Sequence, residues 1–397
     1  MSAHEGFAEP GGRDKGRSPG ASARGDATKP IRLAYLDGLR ALAAGYVVLF
    51  HALPGFSTPY LVGPLRLLRR LFAYGHEAVA IFIVLSGYCL MLPVVRKDPV
   101  GLGVDFGRFV GRRAKRILPP YFAALALSVT LLWVAPVLRT PGTGTIWDDS
   151  LPGLDAAAIA THVLVIHNWF PSYGYQINGP LWSVASEWQI YFFFPLLLLP
   201  VWRRWGMVGA LLSALALGYA PLLVAPAAAH VAIPWYLLLF VFGMAAASVG
   251  FGPGALEQRL RTRLPWRWLC AGLWLSCVVL SNALPKLWFN SKPVVDPLVG
   301  LATATLLIEM TRQAASGKRG RLLALLETRP LVGLGHFSYS LYLTHLPVLA
   351  FGYFALRRLE VSGPVFVASL ALLGGLASVA VGYGFHVLVE RPFMKRD

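Results

Sequence analysis

The sequence predicts an all-α polytopic membrane helical bundle, with about ten transmembrane helices and one short re-entrant or interfacial helix near residues 156–170. Three observations predict it. First, 56% of the 397 residues are hydrophobic and only 14% are Asp, Glu, Lys or Arg, against roughly 25% charged in a soluble protein. With a mean hydropathy of +0.58, the charge is too sparse to cover a water-facing surface, so the apolar excess must face lipid. Second, apolar blocks near the length a helix needs to cross a bilayer follow one another to the C terminus. Third, the basic residues fall between these blocks. The formal net charge is +17 and the pI about 10.1. Nucleic-acid binding would gather such charge into one patch interleaved with aromatics. Here it is dispersed, so it reads as basic loops on one membrane face, and no nucleic-acid partner is expected.

Residues 1–30, rich in Gly, Ala, Ser, Pro and charge, read as a disordered cytosolic tail; 31–393 read as the membrane domain. The tail is too long and polar for the start of a secretory signal. The apolar blocks lie near 34–53, 76–95, 118–138, 156–170, 181–201, 207–225, 232–250, 268–284, 294–311, 333–354 and 364–389. The block 156–170 is short and carries His162 and His167. If it does not cross, ten spans remain, both termini are cytosolic, and the inside loops hold 27 of the 36 Lys and Arg against eight outside. If it does cross, the basic segments 251–267 and 312–332 move outside. The first arrangement is therefore expected, with Arg66, Arg69 and Arg70 as its misfit. No inverted-repeat pair of broken spans, the usual mark of a secondary transporter, is evident.

Ionisable residues inside spans are costly and suggest function. In the first span, Asp37 and Arg40 are i,i+3 neighbours. His51 follows Arg40 by eleven residues, which returns to nearly the same helical face about 16 Å further along the axis. An interfacial ion pair with a snorkelling arginine would explain Asp37 and Arg40 alone; the shared face with His51 favours a functional set. In the second span Ser86-Gly87 offers either a nucleophile or, as more often, a close helix contact. Arg112, Arg113, Lys115 and Arg116 form a basic loop able to bind phosphates or simply to anchor the inside face. The span opening at Trp182 carries Ser183, Glu187 and Tyr191 at i,i+4 steps, with Glu187 deep in the bilayer. The segment from Ser338 to His345 places those two on one face with Tyr339 between them, and Glu390 ends the last span. The cysteines, Cys89, Cys270 and Cys277, read as small apolar side chains. The histidines lack ligand spacing, so no metal site is expected.

Together these segments resemble the acyltransferase-3 family of membrane O-acyltransferases, from about residue 31 to 393. Arg40 and His51 look like its Arg-X10-His signature, and Phe82–Tyr88 is similar to its "FFVLSGF" segment. Arg113 and Arg116 look like its Arg-x-x-Arg element, Trp182–Tyr191 like "WSLSVEEQFY", Ser338–His345 like "SYSLYLWHWP", and Glu390-Arg391-Pro392 like its "E+P". Two departures stand out: Ser186 replaces the first glutamate of the paired acids, and Thr344 stands where tryptophan is frequent. The resemblance implies acyl-CoA, usually acetyl-CoA, as donor, with no bound cofactor. It implies a hydroxyl acceptor on a sugar, glycoconjugate or macrolide-type molecule, in a bacterial inner membrane.

The mechanism expected from this placement has Arg112, Arg113 and Arg116 holding CoA phosphates and Arg40, oriented by Asp37, guiding the thioester inward. His51 is then the general base, assisted by Glu187. Trp182, Ser183, Tyr339, His345 and Ser86 are the candidates for holding the acceptor or the oxyanion. Direct attack is favoured over an acyl-enzyme. A transporter or flippase of a lipid-linked glycan, without acyl transfer, is the alternative.

Overall fold

The computed structural model describes residues 33–53, 61–97, 105–151 and 154–394. The expected 1–30 tail lies outside them. Every regular element among the described residues is helical. In chain order the α-helices are α1 (Ala34–Ala52), α2 (Pro64–Leu71), α3 (Gly75–Lys97), α4 (Phe106–Val134), α5 (Ala156–Val163), α6 (Leu181–Phe193), α7 (Leu199–Val224), α8 (Pro226–Ala232), α9 (Tyr236–Phe251) and α10 (Ala255–Arg263). There follow α11 (Trp266–Ala283), α12 (Pro285–Asn290), α13 (Lys292–Ser316), α14 (Arg321–Leu326), α15 (Arg329–His336), α16 (Ser338–Arg358), α17 (Gly363–Ser369), α18 (Gly375–Phe385) and α19 (Arg391–Met394).

Six helical stretches are long and apolar enough to cross a membrane, or up to eight if each of two bent pairs, α8 with α9 and α10 with α11, makes one span. Their surface supports a lipid setting. Only 17% of the most apolar window of Leu181–Val224 is buried within the protein, so the rest needs an apolar solvent. That stretch has 44 residues, about 66 Å of helix, roughly twice a hydrocarbon core. Gly206, at φ 65°, takes a left-handed conformation open to glycine and breaks it in two. α5 has eight residues, about 12 Å, too short to cross.

The interior is built on α3, α9 and α13, with α1 beside them. α3 and α9 touch backbone to backbone through reciprocal glycines: a methyl on Gly87 would overlap the Phe240 carbonyl, and one on Gly243 the Val84 carbonyl. The Ser86-Gly87 pair thus marks a close helix contact. α1 meets α14 and α15 the same way, through Gly38 and Gly335.

The helices also sort by direction. His76 at the start of α3, Trp182 at the start of α6, Trp235 just before α9 and Asp296 near the start of α13 share contacts. These four helices therefore begin at one end, where α1 finishes with His51. We call it the histidine end. α1 begins at the other end, against Gly335 and His336, with Arg40 near its start. We call that the arginine end.

Two expected boundaries are corrected. Arg112, Arg113 and Arg116 lie on α4, not on a loop. Asp105 caps the helix, its side chain accepting from the Arg108 N–H at 2.6 Å, and the residues up to Leu118 are mostly good helix formers. Pro119 and Pro120 sit inside α4 and free only the carbonyls of Lys115 and Arg116, beside exposed side chains. Similarly, the block expected at 333–354 is divided at Phe337 into α15 and α16.

Candidate active site

At the arginine end, Arg40 donates from one guanidinium nitrogen to Asp37 Oδ1 and from the other to Cys89 Sγ, both at 3.1 Å. The other Asp37 oxygen lies 3.5 Å from His336 Nε2. Cys89, read as a packing residue, thus holds the guanidinium from α3. On α4 the i,i+3 and i,i+4 spacings divide the cations. Arg112 and Arg116 are exposed, whereas Arg113 turns inward, its guanidinium 5.8 Å from the Phe109 ring centroid and 5.9 Å from that of Tyr191. Tyr191 donates its hydroxyl to Glu187 at 2.5 Å, and Ser86 donates to the same carboxylate oxygen. Glu187 therefore ties α6 to α3 and is not bonded to His51.

The partner of His51 is His345. Their Nδ1 and Nε2 lie 2.7 Å apart, and the rings are parallel within 3° with centroids 5.0 Å apart, an edge-to-edge pair. The protons can be assigned by logic. His345 Nδ1 lies 2.7 Å from the Tyr342 carbonyl, which can only accept, so Nδ1 carries a hydrogen. In a neutral imidazole Nε2 is then an acceptor, and the hydrogen between the rings belongs to His51 Nδ1. With His51 neutral as well, its Nε2 is left with a lone pair and no hydrogen. His345 is completely buried, which holds the geometry.

One turn before His345, the Tyr342 hydroxyl lies 2.7 Å from Ser183 Oγ, and Ser183 can also donate to the Pro180 carbonyl at 3.1 Å. When Ser183 donates to Tyr342, the tyrosine hydrogen is free for a third group. Of the other candidates, Ser86 donates to Glu187, Tyr339 donates to the Ile117 carbonyl at 3.0 Å, and both nitrogens of His345 are engaged.

The replacement of a glutamate by Ser186 has a structural counterpart. Ser186 Oγ donates to the Ala232 carbonyl at 2.9 Å and accepts from Asn168 Nδ2 at 3.1 Å. Gln189 joins Asn168 Oδ1 at 2.9 Å and accepts from Trp169 Nε1 at 2.8 Å. These bonds seat the segment after α5 against α6. Two β-branched residues of that segment, Val165 (φ 57°) and Ile177 (φ 67°), are left-handed. Such residues cost about 1–3 kcal/mol each and persist only where packing imposes them.

A second histidine site escaped the sequence reading. His76 Nε2 lies 3.0 Å from both oxygens of Asp296, and Trp235 Nε1 donates to the same carboxylate at 2.8 Å. The signal was available: Asp296 and His76 sit within apolar blocks, where any ionisable group deserves suspicion. Among the described residues no group of three or more His, Cys, Asp or Glu could hold a metal ion.

Known proteins resemble this chain over most of its length. The family described as "Acyltransferase domain", acyltransferase-3, matches residues 33–387. Acyltransferase MdmB of Streptomyces mycarofaciens is 26% identical over 92% of this chain and 92% of its own length. A protein of Staphylococcus aureus strain COL named as an O-acetyltransferase is 25% identical over 91% of this chain, and one of Bacillus subtilis named as a peptidoglycan O-acetyltransferase is 26% identical over 83%. The matches cover only 57% and 50% of those two proteins. No solved structure matches.

Proposed function

The chain belongs to the acyltransferase-3 family of acyltransferases, and from that premise we propose that it transfers an acyl group, acetyl foremost, from cytosolic acyl-CoA to a hydroxyl of a carbohydrate, glycoconjugate or macrolide-type acceptor. The O-acetyltransferase names of two relatives support an oxygen acceptor, and one of them supports a glycan. The proposed setting is a bacterial inner membrane. Ten crossings result if the Leu181–Val224 stretch divides at Gly206, each bent pair crosses once, and α1 crosses despite Asp37, Arg40 and His51. An even number puts both termini on one side, and the loop charge makes that side the cytosol. The arginine end then faces the cytosol.

The observation that carries the proposal is the 2.7 Å contact of His51 Nδ1 with His345 Nε2, whose Nδ1 meets the Tyr342 carbonyl; in neutral rings this leaves the lone pair of His51 Nε2 free. Arg112, Arg113 and Arg116 bind the phosphates of acyl-CoA. Arg40, held by Asp37 and Cys89, starts a passage of about 16 Å along α1, and Glu187, with Ser86 and Tyr191, lines it. His51 Nε2 takes the proton of the acceptor hydroxyl as its oxygen attacks the thioester carbonyl. The tetrahedral oxyanion accepts a hydrogen bond from Tyr342, backed by Ser183. Collapse breaks the C–S bond, and the departing CoA sulfur takes the proton from the His51 imidazolium. The products are an ester and CoA thiol, with no acyl-enzyme. His345 acts here as a positioning residue in the place expected for Glu187.

General-base catalysis is worth about 10²–10⁴-fold. His51→Ala, purified in lipid nanodiscs and shown to be folded, is expected to lose that much kcat for acetyl transfer. Wild-type turnover in that variant would overturn the mechanism.

A further inference from the structure

The His76–Asp296 pair is not used by this mechanism, and its construction calls for an explanation. Asp296 has no exposed surface, while His76 keeps 22% of its side chain exposed. Burying a carboxylate costs several kcal/mol unless it is well paired. Asp296 is paired with His76 and Trp235, near the start of α13 and beside the first turns of α3 and α9, whose dipoles favour an anion. Tying α3 to α13 would not by itself require this pair. The adjacent Glu77 already does so, accepting from Lys292 Nζ and Trp288 Nε1 at 2.8 Å each.

A carboxylate only accepts, so His76 Nε2 carries the hydrogen of that bond. His76 Nδ1 has no hydrogen-bond partner among the described residues. The imidazole lies parallel to the Trp182 indole within 10°, centroids 5.9 Å apart, and Tyr175 meets the same indole edge-on at 6.4 Å. The pair is therefore a fixed polar group set among aromatic rings, which is how binding sites orient a ligand of mixed polarity.

Its position relative to His51 follows from two chains of contact. On one side Gly75, which precedes His76, abuts the ring of Phe50, which precedes His51. On the other, Trp182 precedes Ser183, which bonds Tyr342, whose carbonyl bonds His345, which bonds His51. The two histidines thus stand on one closed circuit of contacts at the histidine end.

We propose that His76, oriented by Asp296, together with Trp182 and Tyr175, forms the subsite that holds the acceptor, and that the acceptor is a hydroxylated ring of the pyranose type. The C–H face of such a ring lies against the exposed Tyr175 ring, with the buried Trp182 indole backing the site, while one hydroxyl donates to His76 Nδ1, presenting another to His51. This rests on the acyl-transfer reading above. A site that hydrogen-bonds a hydroxyl also discriminates strongly against analogues without one.

The test uses the full chain in lipid nanodiscs with acetyl-CoA as donor. The acceptor probes are methyl β-D-glucopyranoside and methyl N-acetyl-β-D-glucosaminide, with n-butanol as a ringless alcohol. The wild type is expected to acetylate a glycoside in preference to butanol. His76→Gln and Asp296→Asn are each expected to raise the glycoside KM at least tenfold while the KM for acetyl-CoA stays within twofold. His76→Gln, at a partly exposed side chain, serves if Asp296→Asn fails to fold. An unchanged glycoside KM in the folded variants, or equal use of butanol by the wild type, overturns the subsite and leaves the His51 mechanism standing. No CoA release with any alcohol overturns the acyl-transfer reading itself, and the subsite with it.

Discussion

At the arginine end of the bundle, Arg112 and Arg116 stand exposed at the start of α4, whereas at the histidine end His345 and Asp296 have no exposed surface at all. Two other cations at the first end are held by neighbouring side chains, Arg40 by Asp37 and a thiol, Arg113 by two rings. Imidazoles at the second end are fixed by hydrogen bonds to buried partners. The difference teaches how one chain serves two kinds of task. Exposed guanidinium groups suit a diffusing polyanion, because they attract it at a distance and tolerate its motion. Proton transfer needs a lone pair aimed in advance, and only buried, fully bonded neighbours give that.

Substitutions at the two ends should therefore fail differently. Removing His51, the proposed general base, acts on kcat. Arg116→Ala, at an exposed side chain, is expected to raise the KM for acyl-CoA about tenfold. That is what losing one charge-assisted contact of ~1.5 kcal/mol would do. The KM for acceptor should stay nearly unchanged, and the gap between variant and wild type should shrink in high salt. Initial-rate kinetics at two ionic strengths checks this; an equal rise in both KM values would erase the distinction between the ends. Gly87→Ala, at the seam of α3 and α9, should bias neither end. The added methyl overlaps the Phe240 carbonyl, so a loss of about 1–3 kcal/mol in stability is expected from overpacking, seen as a lower thermal midpoint. The folded fraction should keep both KM values.

Much of the architecture was legible in the sequence because lipid imposes a simple rule: apolar runs near span length become helices. The rule is blind to where a helix starts outside the bilayer, so the basic turns of α4 read as a loop. Spacing within one helix also placed Arg40 and His51 on a common face. It cannot say which helix faces them. His345 was read as an oxyanion donor, and Glu187, drawn to Ser86 and Tyr191, was read as the histidine's partner. Such pairings depend on inter-helix packing, which in this bundle is governed by glycines whose contacts lie far away in sequence. Asp296 shows a different failure: an acid near the start of an apolar block was passed over, although its position already implied a partner.

The central claim is that His51 and His345 work as one unit, and a double-mutant cycle tests it most directly. Acetyl-transfer kcat would be measured for His51→Ala, His345→Ala and the double variant in the same nanodiscs. Residues acting as a unit are not additive, so the double variant should be no slower than His51→Ala alone. Losses that multiply, with the double variant slower by the product of the two single effects, would contradict the pairing.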